Sequence, residues 1–218
     1  MFNRQDVKLE GKSNFKANYW RSVLTALILS LIAGCASASS GSTTATADES
    51  QQNIMTALIV LALFIAVKVF ILNPLEVGCY RFFNVNSSYK GTAPLSTIKE
   101  GFSDYGRTFL TLLLRDIYIF LWTLLFIIPG FVKAYSYRMV PFILKDNPEL
   151  SPNEVITKSR KMMDGNKMDV FIFDLSYIGW YLLGIVTFGL VNVFWTSPYH
   201  QNANGVIYRR LISPGKGY

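Results

Sequence analysis

Charge is what this sequence has least of. Of its 218 residues, 16% are charged, against about 25% in a soluble domain. The deficit is uneven: residues 54–67 and 117–132 carry no charge at all, which disfavours a soluble chain and points to a membrane protein. Histidine is present once, as His200, and cysteine twice, as Cys35 and Cys79. No metal-ligand spacing exists among them, so a zinc site, a Cys–His nucleophile pair and a Ser-His-Asp triad are poorly supported. A glycine-rich phosphate loop, a nucleophile elbow and a paired-carboxylate motif are also missing. The Gly215-Lys216-Gly217 pattern reads as a frayed tail. A non-enzymatic role without a cofactor is therefore expected.

What the chain does have is apolar and aromatic residues, 51% and 15%, and a net charge of +7. In a membrane protein such an excess marks cytoplasmic loops and contacts anionic head groups, so membrane lipid rather than nucleic acid is the expected partner. Residues 1–19 form a cytoplasmic amphipathic segment in which Lys8, Lys12 and Lys16 repeat every four residues, with Trp20 as an interfacial anchor. The first membrane helix covers 20–38 and the second 54–80, joined by a Ser/Thr-rich extracytoplasmic loop, 39–53. The apolar region from Tyr105 to Leu144 is too long for one span of about 20 residues. Pro129-Gly130 divides it into helices at 106–128 and 131–145. Phe188-Gly189 likewise separates 169–187 from 190–211. The helix 131–145 is short for a full crossing.

The distribution of Lys and Arg tests this count. Residues 1–21 hold five; the segment 39–53 and the two turns hold none. The loops 81–105 and 145–168 and the C-terminus are basic. Basic and non-basic connections alternate throughout, which fits six membrane helices with both termini in the cytoplasm. The chain thus reads as an all-α integral membrane bundle of three hairpins. The second helix of each holds one proline, Pro74, Pro141 or Pro198, which suggests a degenerate internal repeat or simply the frequency of proline in membrane helices.

The stretch Leu31-Ile32-Ala33-Gly34-Cys35 poses a choice, because it resembles a bacterial lipoprotein signal before its lipidated cysteine. The apolar run 23–33 suits a signal, but about 20 residues precede it and signal n-regions are short. Ser22, Ala26, Ser30, Gly34 and Ala38 are spaced by four and give the helix a small-residue stripe for close helix packing. The packing helix is the favoured reading.

Three strings, FKANYWRSVLTALILSLI, FLWTLLFIIPGFVKAYSYRMVPFILKDNPELSPNEVITKSRKMMDGNKMDVFIFDLSYIGWYLLG and SPYHQNANGVIYRRL, resemble a family known as domain of unknown function 975. That family comprises bacterial multi-pass membrane proteins and looks related to the membrane domain that accompanies some glycerophosphodiester phosphodiesterases. The resemblance implies a helical fold in a bacterial cell membrane with a basic cytoplasmic start. It implies no activity and no catalytic residues.

Ionisable residues within membrane helices are costly and are the default site candidates. Here they are Lys68, Arg115, Asp116, Lys133, Arg138 and Asp174. At ~1.5 Å per residue, Asp116, Asp174 and Lys68 lie roughly 15, 8 and 18 Å from the cytoplasmic ends of their helices. Arg115 and Asp116 diverge by about 100° on a helix, so each is expected to find a partner elsewhere: Lys68 with Asp116, and Arg115 with Asp174. Lys133 and Arg138 are expected to snorkel. The set lines a polar ligand site or fixes helix register through ion pairs.

Ser151-Pro152-Asn153-Glu154 is a capping box with proline at the first helical position. It starts an amphipathic helix over 151–164 that Gly165 ends. Lys158, Lys161, Met162 and Met163 are its membrane-surface candidates, on a helix that either lies on the membrane or packs under the bundle. The expected function is binding of anionic membrane lipid or a small polar ligand, or a place in an envelope complex with a protein partner or a second copy. A small permease-like transporter and a lipid-modifying enzyme are the alternatives.

Overall fold

A computed structural model describes residues 3–38, 55, 58–60, 62–63 and 66–212, without the side chains of 33–38 and 69. Every element among these residues is helical. Helices α1 (Arg4–Ala17) and α2 (Tyr19–Ala38) are followed, after residues 39–54, by a π-turn (Lys68–Leu72) that leads into α3 (Asn73–Ser88). A 3₁₀ segment (Leu95–Phe102) precedes α4 (Tyr105–Leu125), α5 (Ile127–Ser136) and α6 (Val140–Asp146). Then come α7 (Pro152–Met163), α8 (Lys167–Leu175), α9 (Ile178–Val186), a second π-turn (Asn192–Thr196) and α10 (Ser197–Ile212). The expected loop 39–53 lies outside the described residues.

The molecule has two unlike ends. At one, α1, α3, α6 and α10 enclose a buried core that includes Val7, Phe15, Val77, Phe142, Ile143, Val206 and Tyr208. Glycines permit the close approach. A Cβ on Gly11 would stand 2.8 Å from the Ala203 Cα, and one on Gly205 would stand 2.4 Å from the Phe83 carbonyl oxygen. An asparagine network ties this base together. Asn18 Nδ2 donates to Asn86 Oδ1 at 2.9 Å and to the Ala93 carbonyl at 2.8 Å, and Asn86 Nδ2 donates to Asn202 Oδ1 at 2.6 Å. Buried amides need such partners, and this set fixes the break between α1 and α2 against α3 and α10.

The other end is apolar on its outside. Leu124, Ile127, Ile128 and Val186 are 74 to 80% exposed and Phe188 is 98% exposed. These residues flank two helical turns. The α4–α5 turn falls at Phe126, in extended conformation (φ −157°, ψ 141°), rather than at Pro129-Gly130. Pro129 falls in the first turn of α5, where its missing N–H costs no helical hydrogen bond. Gly130 serves contact instead, since a Cβ there would meet Thr123 Oγ1 at 2.3 Å. The expected turn at Phe188-Gly189 is present, with both residues at positive φ.

Among the described residues, two helices are long and apolar enough to cross a membrane: Tyr105–Leu125, and Lys167–Val186 read through the turn at Ser176-Tyr177. The other expected spans do not qualify among the described residues. The span 131–145 is divided into α5 and α6 by the turn at Tyr137–Met139. The span 190–211 is interrupted by a π-turn, and 54–80 is described only in part and continues as α3 to Ser88. Proline explains the two π-turns. Asn73 and Ser197, each the residue before a proline, donate their N–H to the carbonyl five residues back, Lys68 and Asn192 respectively. The proline ring clashes with the carbonyl four residues behind it, and one extra residue in the turn moves that carbonyl away. Pro141 follows a turn at Tyr137–Met139 instead, closed by the Val140 N–H on the Tyr137 carbonyl at 3.1 Å.

In the small-residue stripe, Ser22 and Ala26 are buried, whereas Ser30 is exposed with its Oγ 3.4 Å from Ser197 Oγ. The packing of Gly34 and Ala38 lies outside the described side chains, as does the environment of Cys35.

Candidate functional site

The charged residues of the apolar half gather into two clusters. The first centres on Asp174, in the last turn of α8. Arg138 projects to it from the turn between α5 and α6. Its Nη2 donates to Asp174 Oδ1 at 3.0 Å and its Nη1 donates to Oδ2. Tyr135 Oη donates to Oδ2 at 3.0 Å, and His200 Nε2 lies 2.9 Å from Oδ1. The carboxylate can only accept, so His200 carries its proton on Nε2. His200 Nδ1 then faces Tyr181 Oη at 3.2 Å, and a neutral ring accepts the phenol's hydrogen. Arg138 Nη2 also donates to Asn204 Oδ1 at 2.9 Å. The chain Tyr181–His200–Asp174–Arg138 joins α9, α10, α8 and the α5–α6 turn. With His200 neutral, its formal charge is zero.

The second cluster joins the first π-turn, α3 and α4. Lys68 Nζ lies 3.5 Å from Asp116 Oδ2, as the sequence led us to expect. Arg115 lies 3.2 Å from Glu76 Oε1, and its Nε donates to Asp116 Oδ1 at 2.9 Å. Two cations face two carboxylates, and the cluster is again neutral.

Two expectations are corrected here. Arg115 pairs with Glu76 and Asp116, not with Asp174. Sequence neighbours do point apart at Cβ, but the arginine stem is long enough to bend back across the helix surface. Arg138 does not snorkel: it is held by Asp174 and Asn204, because the break at Tyr137–Met139 turns it inward. Lys133 Nζ lies 4.4 Å from the centroid of the Trp122 ring. Glu76, Tyr135, Tyr181, His200 and Asn204 were missed as partners. The one available signal was the chain's single histidine, in a helix whose other charges, Arg209 and Arg210, lie in its last turn. Its distance from Asp174 in sequence hid the contact.

The helix α7 has its capping box: Ser151 N–H donates to Glu154 Oε2 at 2.8 Å. These hydrogen bonds from the Ser151 side chain and backbone hold the Glu154 carboxyl below its usual range. The apolar face of α7 is spent on the protein core, with Val155, Ile156 and Met163 buried and Met162 partly so. Met163 is therefore not a membrane-surface residue, and Ser159 Oγ ties the helix to the Ser136 carbonyl at 2.8 Å. Lys161 is exposed, while Lys158 donates to Asn147 Oδ1 at 2.5 Å. Both lysines border a cavity of about 380 Å³ beside Leu150 and Asn153. In the base, Arg81 bridges Glu100 and Asp146, and Arg209 and Arg210 both reach Glu10. Among the described residues no group of three or more His, Cys, Asp or Glu side chains could hold a metal ion.

Residues 126–214 match the family model described as "Protein of unknown function (DUF975)". The match is to the family that the sequence resembles. No curated protein matches the chain, and no solved structure does.

Proposed function

We propose that the protein is an integral membrane protein with a non-enzymatic role, contacting anionic lipid at the border between its polar base and its apolar hairpins. The carrying observation is the apolar exterior of those hairpins. In the most apolar window of Tyr105–Leu125, 17% of residues are buried, and in that of Lys167–Val186, 28%. A helix of that composition in the core of a soluble protein is mostly buried. An exposed one needs an apolar surrounding, and a bilayer supplies it. The charged clusters fit this reading, because ion pairs that neutralise one another are the tolerable form of charge in such a medium.

Both termini are proposed to face the cytoplasm, on the strength of the Lys/Arg distribution. The multi-pass topology and the bacterial cell membrane are part of the same proposal, and so is a place in an envelope complex. The permease reading draws its support from the Tyr181–His200–Asp174 chain, whose groups are of the kind that pass protons.

The test is extraction of native membranes with alkaline carbonate, which releases peripheral proteins. The full-length protein is expected to stay in the pellet and to leave it only with detergent. Release by carbonate overturns the proposal.

A further inference from the structure

Two lysines of α1 stand out because no described residue neutralises them and both face aromatic rings. Lys8 and Lys12 are one helical turn apart and share a face. Lys8 Nζ lies 5.1 Å from the centroid of the Tyr177 ring, and Lys12 Nζ lies 6.0 Å from that of Trp195. Among the described residues neither meets a carboxylate. Glu10, on the same helix, is already engaged by Arg209 and Arg210. Lys8 is half-buried, and its burial, with the charge of Arg4, pushes its pKa below the ordinary lysine value. Two cations have thus been brought against aromatic surface without an anion.

The same place holds an unmet donor. Trp195 Nε1–H is buried and has no hydrogen-bond partner among the described residues. Its ring is fixed by Phe15, edge-on at 5.4 Å, and its neighbour Phe194 gives a carbonyl to Tyr19 Oη at 3.1 Å. Buried indole N–H groups normally find acceptors. The level in the fold is also specific. Phe194, Trp180 and Leu190 are exposed apolar residues, whereas Thr196 and Tyr199 are buried in the base. Trp195 therefore lies where the apolar exterior gives way to the base, with Trp20 exposed on the neighbouring α2. Tryptophan and lysine concentrate at this level in membrane proteins, beside the head groups.

We propose that Lys8, Lys12 and the Trp195 indole form a binding site for the phosphate of an anionic phospholipid. A phosphate offers several acceptor oxygens and negative charge, which the two ammonium groups and the N–H lack as partners. The acyl chains of the same lipid would run along the exposed apolar surface. This assignment rests on the membrane reading above and names the lipid class and the residues that take it.

The test uses the full-length protein in a neutral detergent, with retained lipid read by native mass spectrometry after addition of phosphatidylglycerol or phosphatidylcholine. The wild type is expected to retain phosphatidylglycerol preferentially. Lys8→Gln/Lys12→Gln should lower that retention by about thirtyfold, in line with the loss of two lysine charges at about 1 kcal/mol each. Lys99→Gln, at an exposed lysine of the 3₁₀ segment, should leave it unchanged. Trp195→Phe keeps the ring and removes only the N–H, so it should weaken retention even if the double lysine variant fails to fold. Equal retention of the two lipids by the wild type overturns the site. So does retention unchanged in both the lysine and the tryptophan variants, or displacement of the lipid by millimolar inorganic phosphate. Carbonate extraction of the same variants separates the two claims: a protein that stays in the membrane without lipid preference loses the site and keeps the membrane reading.

Discussion

Asp174 accepts hydrogen bonds from Arg138, Tyr135 and His200. Removing its charge leaves the Arg138 guanidinium, 22% exposed in its side chain, without an anion. Asp174→Asn is expected to cost roughly 2 kcal/mol, below the range for a fully buried pair because of that exposure. Thermal unfolding in detergent measures it. Adding Arg138→Met should recover part of the loss, since the stranded charge is then gone. If Asp174→Asn instead leaves the melting temperature unchanged and abolishes solute flux in reconstituted vesicles, the permease reading displaces the structural one. Glu154 offers a simpler residue-scale test. Its pKa is lowered in the folded protein, so its contribution is fully present above the ordinary glutamate value and is lost as pH falls through the lowered one. Protection of the Ser151 amide, relative to its intrinsic exchange rate, should fall over that acid range, and Glu154→Gln should remove the dependence.

Among the elements, glycine decides how closely helices pack. Gly11→Ala drives a methyl group into the Ala203 backbone, and α1 must move off α10. The expected loss is about 1–3 kcal/mol. Gly179→Ala, in α9, meets nothing within 4 Å and restores helix propensity, so it should be neutral or stabilising. Melting temperatures of the two variants, measured side by side, check the contrast. The π-turns before Pro74 and Pro198 are a second device at this scale. They let two helices pass a proline and then pack along each other, as α3 and α10 do across Gly205. That shared device, absent at Pro141, sets Pro74 and Pro198 apart from it.

The whole molecule has an asymmetry that predicts how it meets its surroundings. Phe120 is 65% exposed on α4. In water, Phe120→Asp would be harmless. In a bilayer it places a charge against hydrocarbon, at about 2.5–3.5 kcal/mol near the centre of a span. Membrane-integrated yield is therefore expected to fall severalfold, and an unchanged yield with the protein still carbonate-resistant would place Phe120 outside the lipid-facing surface. Lipid contact at Lys8, Lys12 and Trp195 belongs to this scale too, because the site exists only where α1 meets the second π-turn.

Several features were legible in the sequence alone. The capping box at Ser151, the helix stop at Gly165 and the turn at Phe188-Gly189 are set by neighbouring residues and backbone conformation, so local rules find them. The all-helical class follows from long uncharged windows, and the Lys68–Asp116 contact follows from two charges with few alternatives in an apolar region. Other features depended on the tertiary fold. The turn fell at Phe126 because Pro129 fits a helix's first turn as readily as it ends a helix. Met163 went to the core because an amphipathic face suits a bilayer and a protein interior equally, and only the position of α5 and α6 decides between them. Arg115 and Arg138 have long stems with several carboxylates in reach, and His200 meets Asp174 only because α8 and α10 are brought side by side. Sequence determines which groups need a partner, and the three-dimensional arrangement of the helices determines which partner each one gets.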